Sequence, residues 1–133
     1  MERLIENYIN FIENNLSNEN KNLENLIDRL SNLQKENKNI NFSSLIGSCL
    51  GLIGEAGETT EIVKKIIMQG KNINEETLEK LKKEIGDITF YYFMLLNSLN
   101  FDIKDIIQTN MEKLKNRYGN NGFSVEKSEN RIE

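Results

Sequence analysis

Apolar residues return every three or four positions along most of the chain, and nowhere does a period-two alternation survive. Leu4, Ile5, Tyr8, Phe11 and Ile12 predict a first helix over about residues 2–15. After a polar, Asn-rich patch, Leu23, Leu26, Ile27, Leu30 and Leu33 form a second helical stripe. Residues 35–41 lack periodic apolar positions and read as a loop. Ser43 or Ser44 can cap a third helix. Its apolar residues Leu45, Ile46, Cys49, Leu50 and Ile53 continue through Val63 and Ile67 to a stop at Gly70. Asn74 caps a fourth helix, with Glu75 and Glu76 placed favourably for the helix dipole. Asp102 followed by Asp105 opens a fifth, which runs to about Tyr118. The class is all-α. One domain is expected over 1–133, with N-terminal helices in 1–43, a central unit in 44–118 and a tail in 119–133.

The fourth helix is unusual. Leu78, Leu81, Ile85, Ile88, Tyr92, Leu95, Leu96 and Leu99 make one continuous stripe at about 100° per residue. Phe90, Phe93 and Met94 make its far side apolar as well. A helix apolar nearly all round is expected to be buried on two faces, which supports an oligomer. Glu84, Asp87 and Tyr91 project into the sector between those faces. Buried or half-buried carboxylates there are expensive unless something compensates them, and a divalent cation is the obvious compensator.

The third helix offers a matching partner. Glu55, Glu58, Ile62 and Lys65 share one side, away from the stripe of Ile46, Leu50 and Ile53. Gly47, Gly51 and Gly54 lie on that same side, one and two turns earlier. Mid-helix glycine costs about 1 kcal/mol relative to alanine. Three on one face imply a close approach by another helix or by a planar ligand.

Composition narrows the chemistry. With no His, imidazole catalysis and imidazole ligation are excluded, and the single Cys49 reads as a small core residue. Net charge is −4, and no Lys/Arg cluster is long enough to neutralise a run of phosphates, so a nucleic-acid partner is disfavoured. No Pro and only eight Gly leave long helices uninterrupted, while 21 Asn read as the codon bias of an AT-rich genome. No signal-peptide pattern and no apolar run of membrane-spanning length occur, so a cytoplasmic protein without a membrane partner is expected.

E-x-x-E spacing alone decides nothing in a chain this acidic. Glu76 with Glu79, Glu58 with Glu61, and Glu126 with Glu129 all share it. Setting singles out Glu55 and Glu58 beside the glycines, and Glu84 and Asp87 between two apolar faces. Two helices each presenting such a pair can form a cage of four oxygen ligands, which selects Mg²⁺ or Mn²⁺. That points to phosphate chemistry by in-line attack of a metal-activated water. Asn110, Lys113 and Arg117 share one face of the fifth helix and can donate to phosphate oxygens, as can Lys65. The bland alternative is that Lys113 and Arg117 merely lay their stems along apolar surface.

The segments GLIGEAGETTEIVKK, EIGDITFYY and NMEKLKNRYGNNGF resemble the MazG-like all-α nucleotide pyrophosphohydrolases. The family pattern E-E-x-x-E, spacer, E-x-x-D is matched by Glu55, Glu58, Glu84 and Asp87, with 25 residues between Glu58 and Glu84. The resemblance covers about residues 44–131. Residues 1–43, with IVKKIIMQGK and SENR, are similar to phage-encoded members. It implies a MazG-like helical bundle of about five helices around an oligomeric four-helix core. It also implies a homodimer or homotetramer, and cleavage of a (d)NTP to a nucleoside monophosphate and pyrophosphate. Two positions depart from the pattern: Gly54 replaces the first Glu, and Gly119 stands where Pro often follows the R-Y pair. With no Trp, Tyr91, Tyr92 or Phe90 or an N-terminal aromatic would have to stack on a base, and Tyr91 with Gly47 and Gly51 forms the candidate pocket. On this reading Glu55, Glu58, Glu84 and Asp87 hold Mg²⁺, or Mn²⁺ in its place, and Glu55 or Glu58 is the general base. Alternatives are a catalytically silent nucleotide-binding protein, a hydrolase of the alarmone (p)ppGpp, or a purely structural helical oligomer.

Overall fold

A computed structural model describes residues 1–119 and 122–129. The last residues of the tail, including the Arg131 that ends the SENR phrase, lie outside them. The described chain is all-helical, in the order α1 (Glu2–Asn15), α2 (Asn18–Lys21), α3 (Leu23–Glu36), α4 (Phe42–Met68), α5 (Glu75–Leu99), α6 (Ile103–Tyr118) and α7 (Val125–Glu129). The five helices expected from periodicity are α1, α3, α4, α5 and α6. The two additional ones are four and five residues long, too short to display a 3.6-residue period.

Caps explain most boundaries. Asn74 Oδ1 accepts from the Thr77 amide at 2.9 Å and Asp102 Oδ1 from the Lys104 amide at 2.8 Å, as expected. The start of α4 differs. Asn41, not Ser43 or Ser44, is its cap, and Asn41 Oδ1 accepts from the Ser44 amide at 3.0 Å. Tertiary contacts fix that choice, because the Asn41 amide also donates to the Ser98 carbonyl at 2.9 Å. Gln34 clamps the same loop, donating to the Ile40 carbonyl at 2.7 Å and accepting from the Phe42 amide. Gly70 leaves α4 with φ of 67°, in the left-handed region that glycine tolerates.

The long helices α4 and α5 form an antiparallel hairpin, and this pair holds most of the tertiary packing. Leu96, Ser48 and Ser98 are the buried residues among those described. Both serines satisfy their hydroxyls on the carbonyl three residues back, at 2.9 and 2.7 Å. Helix α3 touches α4, and α7 touches α6, whereas α1 packs extensively on no other helix.

Within the single chain, exposure departs from expectation at Cys49 and Asp87, and the apolar outer faces of α4 and α5 stay bare. Helix α4 does not bury its Ile46, Leu50 and Ile53 stripe. Leu50 is 68% and Ile53 74% exposed, and Cys49 on that side is exposed too. The face turned to α5 is the one carrying Gly47, Gly51 and Glu55, because small residues let the two backbones approach. Helix α5 is covered on one face only: Leu81, Ile88, Tyr92 and Leu95 are at least half-buried, whereas Phe90 is 65% exposed. Asp87 is accordingly exposed, while Glu84 and Tyr91 are half-buried.

Candidate metal centre

The register of the hairpin is set by a glycine and a ring. Tyr91 lies directly on the backbone of Gly51, where an added Cβ would meet ring carbons at 2.3 Å. No side chain fits there without moving the tyrosine. One turn earlier, a Cβ on Gly47 would meet Met94 Cε at 3.5 Å, an ordinary contact. Of the two occupants that the glycine face admits, the helix is therefore the one present. Gly54, by contrast, has nothing within 4 Å of where a Cβ would stand.

Further along that seam the facing residues become acidic. Glu55 follows Gly51 by one turn on α4, and Glu84 precedes Tyr91 by two turns on α5. Both are half-buried. With exposed Glu58 they bring carboxylate oxygens to within 4.8 Å of one another. Asp87 stands just outside this trio, one turn from Glu84, yet its charge reaches Glu55. The Glu55 carboxyl is held above its ordinary range by burial first, and then by repulsion from Asp87, Glu58 and Glu84. Among the described residues, none of the four acids pairs with a lysine or arginine.

The other acids behave differently. Glu61 receives both Lys64 and Lys65, the latter at 3.4 Å, and its carboxyl is held below the usual range by the Lys64 hydrogen bond. Lys80 does the same for Glu76, and Lys82 lies 4.0 Å from Glu79. Each of these carboxylates is answered one turn along its own helix. The trio and Asp87 have no such answer. An all-oxygen set of this kind suits a hard divalent cation such as Mg²⁺ or Mn²⁺.

A family comparison joins this geometry to known chemistry. The model of the MazG nucleotide pyrophosphohydrolase domain matches residues 43–121, which include every acid of the seam. The chain belongs to the MazG family. A similar phage protein, the Gene 37 protein of Mycobacterium phage L5, is 38% identical over 69 residues. That match spans 51% of this chain and 60% of the phage protein, less than two thirds of its length. No solved structure matches.

The remaining expected site residues are not gathered around the acids of this MazG chain. Lys65 is turned to Glu61. Asn110 and Lys113 are exposed on α6, and the half-buried Arg117 places its guanidinium carbon 6.0 Å from the ring centre of its neighbour Tyr118. No hydrogen bond or ion pair links these α6 residues to the seam. Tyr91 fills the space over Gly51, so the two make a packing contact within the hairpin. One residue escaped sequence reasoning. Thr59 Oγ1 is buried and has no hydrogen-bond partner. Its only signal in the sequence is its position one turn after Glu55.

Proposed function

We propose that this MazG chain is a divalent-cation-dependent pyrophosphohydrolase that splits a nucleoside triphosphate between its α and β phosphates, releasing a nucleoside monophosphate and pyrophosphate. The observation that carries the reading is the convergence of Glu55, Glu58 and Glu84 from two helices without any cationic side chain to balance them. A Mg²⁺ or Mn²⁺ held by these three with Asp87 would neutralise the polyphosphate and acidify a bound water. Glu55 or Glu58 orients the attacking water and takes its proton. Glu84 and Asp87 hold the opposite side of the site from α5. Lys65, Asn110, Lys113 and Arg117 are the donors that would stabilise charge developing on the phosphates. For Lys65 this requires leaving Glu61, an exposed pairing of the kind that is weak.

The same reading assigns the chain a homo-oligomeric state. The outer faces of α4 and α5 expose Leu50, Ile53, Ile85, Phe90 and Phe93 together. A single exposed apolar residue needs no cover, but several large ones on two neighbouring helices argue for a partner surface. A second copy packed on this face would complete a four-helix core. Glu58→Gln tests the catalytic assignment. It should abolish Mg²⁺-dependent pyrophosphate release while leaving helical content unchanged by circular dichroism. Near-normal turnover in that variant would remove Glu58 from the machinery.

A further inference from the structure

We infer that Thr59 is a positioning residue of the acidic seam, whose hydroxyl holds the Glu84 carboxylate when a divalent cation is bound; this rests on the reading of the seam as a cation site. A threonine inside a helix ordinarily satisfies its hydroxyl on the carbonyl four residues back. Two others in this chain do so: Thr60 Oγ1 donates to the Ala56 carbonyl at 2.7 Å, and Thr89 Oγ1 to the Ile85 carbonyl at 2.7 Å. The equivalent acceptor for Thr59 is the Glu55 carbonyl, and Thr59 does not use it. Its Oγ1 is instead buried with no partner at all. Buried polar groups without partners are uncommon and costly, and each calls for an explanation.

Placement supplies one. On α4 the half-buried residues that face α5 run Gly51, Glu55, Thr59 and Ile62. On α5 the corresponding row runs Leu81, Glu84, Ile88 and Tyr91. Gly51 lies against Tyr91. Eight residues forward along α4 and eight back along α5 bring Thr59 level with Lys83 and its neighbour Glu84. That register places Thr59 in the seam beside the one member of the carboxylate trio that comes from α5. Glu84 has no cationic partner, so it has acceptor capacity for an O–H donor. Such a donor favours the ionised carboxylate and fixes its direction, which is the office that outer hydrogen bonds perform for metal ligands.

The test uses the full-length chain without nucleotide. Mn²⁺ is titrated calorimetrically into the wild-type protein, Thr59→Val and Thr59→Ser, and each is melted with and without the ion. Valine keeps the shape and removes the donor, whereas serine keeps the donor. Thr59→Val should bind Mn²⁺ about tenfold more weakly, the lower end of what losing outer support costs a metal site. Thr59→Ser should stay within about twofold of wild type. In ion-free buffer Thr59→Val should melt no lower than wild type, since it loses only an unpartnered hydroxyl, and should gain less from added Mn²⁺. Should the valine fail to fold, Thr59→Ala carries the same expectation. Wild-type affinity in a folded donor-less variant would overturn the inference and leave the cation site standing. Absence of Mn²⁺ binding in the wild-type chain would instead overturn the cation site, and Thr59 with it.

Discussion

Two sets of glutamates on the same pair of helices share one spacing and have opposite surroundings. Glu61, Glu76 and Glu79 meet lysines on their own helix and sit in solvent with their charge answered. Glu55, Glu58 and Glu84 face one another across the hairpin, and none of them is paired with a lysine. Like charges at that separation repel, and at Glu55 burial adds to the repulsion in holding the carboxyl above its ordinary range. A chain selected only for stability would place apolar or paired residues in the seam. Its acids instead fit the proposed site, one completed by something positively charged.

The largest expected effect comes from exchanging charge for an isosteric amide in each set. Glu84→Gln should lower Mg²⁺-dependent pyrophosphate release by more than about a hundredfold, beyond the loss typical of outer-shell supports. Glu76→Gln should leave the rate within about twofold, because an exposed pair one turn along a helix has little to give. Equal losses in the two variants would dissolve the distinction between the sets.

Glycines sharpen the contrast through stability. Gly51→Ala drives a methyl group into the Tyr91 ring, and should destabilise the hairpin by about 1–3 kcal/mol, as overpacking does. Gly54→Ala enters open space and removes mid-helix glycine, so it should stabilise by up to about 1 kcal/mol. Urea unfolding of the two variants measures both. The same sign for both would mean that the register of the seam differs from that described.

These contrasts show how much was legible in the sequence. Periodicity located the five long helices, and the caps Asn74 and Asp102 were readable because each begins its own helix locally. Asn41 was not, since its capping geometry depends on Ser98, more than fifty residues away. Of the four acids singled out by their setting, Glu55, Glu58 and Glu84 converge, whereas spacing to a lysine could not sort the sets, because Lys80 stands one turn from both Glu76 and Glu84. The face of α4 that meets α5 carries the glycines and Glu55, as a cage of facing carboxylates requires, while the Ile46, Leu50 and Ile53 stripe stays bare within the single chain. Exposure of that stripe is what a second copy of the chain would remove. Thr59 was invisible because an unsatisfied hydroxyl is a property of packing, not of spacing.

The smallest expected effect is a difference in the sign of pH dependence. In cation-free buffer Glu55 titrates above its usual carboxylate value of 4.5. Its contribution to stability is therefore fully present below pH 4.5 and is lost as the pH rises through its raised folded value. Glu61 and Glu76 titrate below 4.5, so their contributions exist above that pH and disappear as it falls through their lowered folded values. Thermal melting from pH 3 to pH 7 separates the two. Glu55→Gln should gain on the wild type as the pH climbs from about 4.5 towards neutrality, because the amide carries no charge to repel Asp87, Glu58 and Glu84. Glu61→Gln should lag the wild type at neutral pH and rejoin it in acid. Adding Mg²⁺ should erase the advantage of Glu55→Gln and leave the deficit of Glu61→Gln untouched, since only the seam has a cation to receive. A Mg²⁺-insensitive advantage would make the seam a site of strain with no ion to relieve it.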